Sequence, residues 1–132
     1  MADGKEILGR YFEEVLNGRQ LETVANYWAD QEMAQKITRG CFTYFDAFPD
    51  LHIGIEEMIA EGSSVFVRST ITGTHDGEYK GIAPTGRNVA TNCAEVFRLD
   101  DDGKIAGYWC LTDVASLMRQ LTEEPAVLPV TA

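Results

Sequence analysis

The sequence lacks the long apolar stretch that a membrane-spanning helix requires. None of its apolar runs approaches the roughly 18 residues needed to cross a bilayer. The first ten residues, MADGKEILGR, do not resemble a signal or transit peptide. We therefore expect a cytoplasmic protein with no membrane partner.

Positive charge is also scarce. Eleven Lys and Arg residues face 21 Asp and Glu residues, which gives a formal net charge of −10. Such a surface repels phosphate backbones, so we expect no nucleic-acid partner. The simplest interpretation of this acidity is solubility.

Histidine and cysteine are too sparse for the usual metal or disulfide patterns. His52 and His75 are far apart in the sequence, which predicts no metal site. Cys41, Cys93 and Cys110 show no C-x-x-C spacing, and their odd number argues against a disulfide framework. We expect free thiols in a reducing compartment.

What is present suits one folded domain: 132 residues, 45% of them apolar and 24% charged. Apolar residues recur at helical spacing early in the chain, and this predicts helices over about 7–17, 21–28 and 31–48. Alternating residues then predict strands over about 51–60, 65–75, 89–99 and 104–112. A last helix begins at Asp113.

This order of elements indicates an α+β fold, in which N-terminal helices pack on a curved, mostly antiparallel sheet. Helices over a concave sheet form a cone with an internal pocket, which we expect to take a mostly apolar small molecule. We predict a single domain over 1–122, followed by a C-terminal tail over 123–132.

Two sequence blocks resemble the SnoaL-like polyketide cyclases, which have the nuclear transport factor 2-like cone fold. The first is GTHDGEYKGIAPTGR at 73–87. The second comprises Val96-Phe97-Arg98-Leu99, Asp102-Gly103-Lys104-Ile105, Trp109, Asp113 and Leu117-Met118-Arg119-Gln120-Leu121. The resemblance covers roughly residues 5–122. It implies a domain without a cofactor, usually a dimer, with its pocket between helices and sheet.

The resemblance also implies which positions carry the cyclase chemistry. In the cyclases an aspartate on the last strand acts as acid and base, and a histidine on the preceding strand assists it. Alignment on Arg98 and Gly103-Lys104-Ile105 places these positions at Cys110 and Glu95. Neither position holds the cyclase residue.

Strand pairing supports treating these positions as neighbours. If Arg98 faces Ile105 across the turn, then Glu95 faces Tyr108, and side chains alternate between the two faces of the sheet. Cys93 would then lie opposite Cys110. The predicted pocket face of the hairpin carries Cys93, Glu95, Tyr108 and Cys110.

Glu95 is the first candidate for acid–base catalysis, because burial in an apolar pocket raises the pKa of a carboxyl group. A structural role is the alternative, with Glu95 hydrogen-bonded to Tyr108 or paired with Arg68. Tyr108 is a candidate donor to a developing oxyanion, or simply an aromatic side chain lining the pocket.

The remaining candidate site residues have weaker signals. His75, expected nearer the rim of the pocket, is either a proton shuttle or a residue that fixes a loop. Cys93 and Cys110 are expected to contact the substrate; for Cys110 we expect a buried inert thiol, with a nucleophile as the alternative. Trp28 and Phe45 are candidates for substrate contact, with core packing as the alternative.

Two further features concern architecture. Asp113 precedes a helical pattern and is expected to cap that helix. The face of the last hairpin away from the pocket carries Ala94, Val96, Trp109 and Leu111. Because one layer of helices cannot cover both faces, we expect a homodimer through the outer sheet face.

Together these observations predict a cofactor-independent cyclase or isomerase that acts on a polyketide-like or polycyclic ketone. Two alternatives stay open. One is a binding protein for an apolar small molecule that catalyses nothing. The other is a hydroxylase-like or hydrolase-like relative of the cyclases.

Overall fold

The computed structural model describes residues 3–123, over which helices precede a four-stranded antiparallel sheet of order β1-β2-β3-β4. The elements are α1 (Gly4–Arg10, continued by a π-helix over Tyr11–Asn17), a 3-10 helix (Leu21–Asn26), α2 (Gln31–Ala47), β1 (His52–Glu61), β2 (Ser64–Thr74), β3 (Asn88–Leu99), β4 (Ile105–Thr112) and α3 (Val114–Thr122). The predicted α+β fold is confirmed. The predicted tail, apart from Glu123, lies outside the described residues.

Local chemistry sets the helix ends. The Asp30 carboxylate accepts a hydrogen bond from the Glu32 amide at 2.9 Å and so begins α2. Pro49 follows its end, because proline cannot continue a helix. The Asp113 carboxylate accepts from the Ser116 amide at 3.0 Å, which confirms the predicted cap of α3.

The helices pack on one face of the sheet and bury two hydrophobic clusters. The larger cluster comprises Leu8, Tyr11, Phe12, Val15, Leu16, Leu21, Val24, Trp28, Ala34, Val65, Val67, Phe97 and Ile105. The smaller comprises Ala47, Phe48, Leu51, Tyr79, Val89, Leu117 and Leu121. The curved sheet therefore has a packed inner face.

The pairing between β3 and β4 differs from the predicted register. Leu99 pairs with Ile105 and Arg98 with Gly107, so Ala106 is an extra residue that forms a bulge in β4. The connection is also five residues long, 100–104, and the Asp100 carboxylate accepts two backbone hydrogen bonds within it. These two features move the register by two positions.

The predicted direct partners were therefore wrong. Glu95 pairs with Cys110, not with Tyr108, and Cys93 pairs with Thr112. A shift of two residues preserves the face on which each side chain lies, because side chains alternate with a period of two. The bulge also lets Ile105 and Tyr108, three residues apart, both pack against the helical core.

The outer face of the sheet exposes several large apolar side chains. One cross-strand row runs through Ile59, Phe66, Val96 and Trp109. The relative exposure of Ile59 is 54%, that of Trp109 is 53% and that of Leu111 in the next row is 63%.

Among the described residues, no helix is long and apolar enough to span a membrane.

Candidate functional site

A cavity of about 230 Å³ lies between the helices and the inner face of the sheet. Apolar and aromatic side chains dominate its lining, including Phe12, Leu16, Ile37, Phe45, Ile53, Ile71 and Phe97. The lining also includes the predicted residues Trp28, Cys93, Glu95, Tyr108 and Cys110. The structure thus brings residues from the N-terminal helical segments, α2 and all four strands around one space.

The cavity reaches the surface between α2 and β4. Lys36 and Gly40 on α2 and Cys110 on β4 line it and are exposed to solvent. Because β4 is an edge strand of the sheet, a ligand can enter beside it without separating two paired strands.

The polar centre of the cavity is a hydrogen-bonded pair. The Tyr108 hydroxyl donates to Oε2 of Glu95 at 2.6 Å. The Tyr108 ring is fixed by Trp28, whose ring packs edge-on with centroids 5.3 Å apart, and by Phe97 at 5.1 Å. The pair is therefore held by rigid aromatic neighbours.

Burial changes the acidity of Glu95. Loss of hydration raises the pKa of its carboxyl group from 4.5 to about 7, although the hydrogen bond from Tyr108 lowers the pKa and offsets part of this effect. Proximity to Cys110 raises it further. The suggested ion pair with Arg68 does not form, because Arg68 lies on the outer face with its Nε 3.7 Å from Oε1 of Glu57.

A second polar contact in the lining was not predicted from the sequence. Trp28 Nε1 donates to the Tyr11 hydroxyl at 3.2 Å. Backbone hydrogen bonds from Ala29 to Ile105 and from Ile105 to Tyr27, of 2.9 and 2.8 Å, fix the segment that carries Trp28. Among the described residues, the Tyr11 hydroxyl has no hydrogen-bond acceptor, so its proton is available to a ligand.

The helical period identified Tyr11 as a residue facing the core but could not show that its hydroxyl reaches a cavity. Burial raises the pKa of Tyr11 above its ordinary value, so the side chain is a neutral donor at physiological pH.

Two thiols lie beside Glu95. The sulfurs of Cys93 and Cys110 are 3.7 Å apart, and the Thr112 hydroxyl lies 3.4 Å from the first and 3.6 Å from the second. The contact between the thiols lowers the pKa of Cys110 and raises that of Cys93, because the remaining S–H donates to the first thiolate formed. Cys110, which is expected from the sequence to be a buried inert thiol, is exposed and has a lowered pKa.

His75 lies elsewhere, so its predicted position near the pocket rim was wrong. It is fully buried against Phe48 and is absent from the described cavity lining. Its Nδ1 accepts from the Thr85 amide at 3.1 Å and contacts the Thr85 hydroxyl at 3.0 Å. This geometry corresponds to the alternative prediction, in which His75 fixes the loop after β2.

We compared the sequence with models of known protein families. The family model described as SnoaL-like polyketide cyclase matches residues 6–121. The chain belongs to the SnoaL-like polyketide cyclase family. No curated protein shows a significant match to it.

Solved structures of other proteins share the fold. AclR of Streptomyces galilaeus, a proposed hydroxylase, is 27% identical with a TM-score of 0.81, over 98% of this chain and 87% of AclR. A proposed polyketide cyclase from Acidithiobacillus ferrooxidans is 25% identical with a TM-score of 0.78, over 91% and 94% of the two chains. A SnoaL-like protein from Jannaschia sp. CCS1, 22% identical, has a TM-score of 0.80 over 92% and 93%. The predicted cone fold and family resemblance are confirmed.

Proposed function

We propose that this chain is a cofactor-independent cyclase or isomerase that removes a proton next to the carbonyl group of a polyketide-like or polycyclic ketone. The observation that supports this most directly is the Glu95 carboxylate, held in a mostly apolar cavity by the Tyr108 hydroxyl at 2.6 Å. A carboxylate with little surrounding water is a stronger base than one in solution.

The volume of the cavity limits the size of the substrate that it can enclose. Its volume of about 230 Å³ is below the roughly 300–1,000 Å³ of sites that enclose a drug-sized ligand. One or two rings would fit inside with the reacting carbonyl near Glu95. The rest of a larger ketone would extend through the mouth beside Lys36 and Gly40.

The proposed first step transfers one proton. Glu95 takes the proton from the carbon next to the ketone, the C–H electron pair forms a carbon–carbon double bond, and the carbonyl π electrons move to oxygen as an enolate. In a cyclase, the enolate carbon then attacks a second carbonyl group and Glu95 returns the proton to the new alkoxide. In an isomerase, Glu95 returns it to a different carbon.

The hydrogen bonds change the role that the sequence suggested for Tyr108. Its single hydroxyl proton is engaged by Oε2 of ionised Glu95, so it is not free for an enolate oxygen. Tyr108 therefore positions Glu95. Tyr11, which accepts from Trp28 and keeps its own proton, is the better candidate to stabilise the oxyanion.

The test measures exchange of the proton next to the carbonyl in D₂O by NMR, using cyclic and bicyclic ketones that bind the protein in a thermal-shift screen. Loss of the general base in Glu95→Gln should slow exchange by about 100- to 10,000-fold. Glu61→Gln, which makes the same chemical change at an exposed site at the end of β1, is the matched control and should exchange at the wild-type rate.

Unchanged exchange in Glu95→Gln would remove Glu95 from the mechanism. Ligand binding without exchange in the wild-type protein would instead support the alternative of a binding protein that catalyses nothing. The mostly apolar lining of the cavity is compatible with that alternative.

A hydroxylase is the second catalytic candidate, because AclR, at 27% identity, is a proposed hydroxylase. Substrate-dependent consumption of O₂ separates this reaction from the proposed one. A cyclase or isomerase changes bonds within its substrate and consumes no O₂.

We also propose that the chain forms a homodimer through the outer face of its sheet. The support is the exposed apolar surface around Trp109 and Leu111, which would cost solvation free energy in a monomer. Burial of such surface contributes roughly 25 cal/mol per Å². Light scattering after size exclusion should give twice the chain mass; a monomer at micromolar concentration would refute the dimer.

A further inference from the structure

We propose that Cys93, Glu95 and Cys110 bind one thiophilic divalent metal ion, such as Zn²⁺ or Cd²⁺, on the wall of the cavity. Their two sulfurs and a carboxylate oxygen lie within 4.8 Å of one another. Thiolate sulfur is the ligand that selects such ions over Mg²⁺ or Ca²⁺. Sparse histidines and the absence of C-x-x-C argued against a metal site in the sequence, but pairing of β3 with β4 assembles this cluster without either pattern.

The spacing of the two sulfurs fits shared coordination. Zn–S bonds of about 2.3 Å at a tetrahedral angle place two sulfur ligands about 3.8 Å apart. The Cys93 and Cys110 sulfurs are 3.7 Å apart. The two thiols therefore need almost no movement to chelate an ion, and only the carboxylate has to approach.

The same geometry disfavours a disulfide between these cysteines. Cys93 pairs with Thr112 and Cys110 with Glu95, so the two cysteines are diagonal neighbours. Diagonal pairs have Cα atoms roughly 7–8 Å apart, beyond the usual 4.4–6.8 Å span of a disulfide. A metal ion bridges this separation where a sulfur–sulfur bond of about 2.05 Å would require backbone movement.

The surroundings complete the coordination. Tyr108 donates to Oε2 of Glu95, which leaves Oε1 to act as ligand. The Thr112 hydroxyl lies within 3.4 and 3.6 Å of the two sulfurs and can donate to a thiolate. A fourth position on the ion would be left to water or a ligand, as in zinc sites with three protein ligands and one open position.

Metal binding has a consequence for the proposed reaction. An ion bound to Glu95 takes the lone pair that would accept the substrate proton, so the loaded protein should be a poor catalyst. This consequence rests on the proposed function, whereas metal binding itself does not.

The test is a titration of the full chain with Cd²⁺ after reduction with a phosphine, followed by ultraviolet thiolate-to-metal charge-transfer absorption and by thermal melting. The expected result is a signal that saturates at one Cd²⁺ per chain, with a higher melting temperature. Because the wild-type protein gives this result, it does not depend on the folding of any variant.

Variants then assign the ligands. Cys93→Ser and Cys110→Ser should each weaken Cd²⁺ binding by at least about 100-fold, and Glu95→Gln by at least about 10-fold while the sulfur absorption remains. Cys41→Ser is the matched control. It removes a thiol that lines the same cavity outside the cluster, and it should bind like the wild type.

Three results would overturn the proposal. These are no saturable absorption in the wild type, wild-type affinity after loss of either Cys93 or Cys110, and wild-type affinity in Glu95→Gln. None of them bears on proton exchange by the metal-free protein, so failure of the metal site and failure of the proposed function are distinguishable.

Discussion

The two faces of the β3–β4 hairpin reverse the usual distribution of polarity in a sheet with one solvated face. The face against the core carries a carboxylate, a phenol and thiols, whereas the opposite face exposes large apolar side chains. An ordinary half-buried sheet places its polar side chains toward water. The reversal indicates two specialised surfaces on one pair of strands, an interior site and an exterior contact.

The largest expected effect comes from placing a charge on the outer face. Leu111→Asp would bury a carboxylate from each protomer at the proposed interface, and the loss of hydration costs several kcal/mol for each charge. We expect dimer dissociation to become easier by more than about 1,000-fold, as measured by analytical ultracentrifugation. A stable Leu111→Asp dimer would show that the contact lies elsewhere.

The next effect concerns the inner face and is a pH dependence of stability in the metal-free protein. The native pKa of Glu95, about 7, exceeds the ordinary 4.5, so the folded state holds its proton more tightly than the unfolded state. The stability that this proton provides is present at pH 4 and lost as the pH rises through 7.

Glu95→Gln should remove this pH-dependent loss of stability, because glutamine has no carboxyl proton to lose. Relative to the wild type, the free energy of unfolding of Glu95→Gln should rise by up to about 3 kcal/mol between pH 4 and pH 8, measured by urea denaturation. Parallel pH profiles for the two proteins would contradict a carboxyl group with a raised pKa at this position. Glu61→Gln should follow the wild type.

A smaller effect tests whether Tyr11 stabilises the oxyanion while Tyr108 positions Glu95. Tyr11→Phe removes the proposed oxyanion donor and should slow proton exchange by about 100-fold. Tyr79→Phe is the matched control, since it also removes a buried hydroxyl, one whose partner is Tyr44 at 3.4 Å and not the ligand. Equal proton-exchange rates for the two variants would show that Tyr11 does not stabilise the enolate.

The smallest effect is expected for a carboxylate on the outer face, Glu57, which we compare with Glu95 on the inner face. Glu57 and Arg68 form an ion pair on the outer face with side chains about half exposed, and such pairs contribute roughly 0–1 kcal/mol. In the dissociated monomer, Glu57→Gln should therefore change the free energy of unfolding by less than about 1 kcal/mol at every pH from 4 to 8. A pH-dependent change like that expected for Glu95 would show that burial does not distinguish the two carboxylates.

Features that depend on local chemistry could be predicted from the sequence. Asp113 caps α3 because an aspartate before a helical pattern satisfies backbone amides wherever the helix packs. The shared face of Glu95, Tyr108 and the two cysteines follows from alternation, which survives an even shift in register.

Features that depend on distant contacts could not be predicted. The sequence motif predicts His75 at the pocket rim, but its position follows from packing against Phe48 and from two contacts with Thr85. The hydrogen bond between Trp28 and Tyr11 joins two helical segments whose relative placement no periodicity specifies.

The bulge at Ala106 controls which side chains of β4 face the cavity. It inserts one residue into β4, between the turn and the strand positions that line the cavity. A gain or loss of one residue there would reassign which side chains of β4 form the wall, while the helices and the other strands keep their places. The length of this one hairpin therefore sets which chemical groups β4 presents to a ligand.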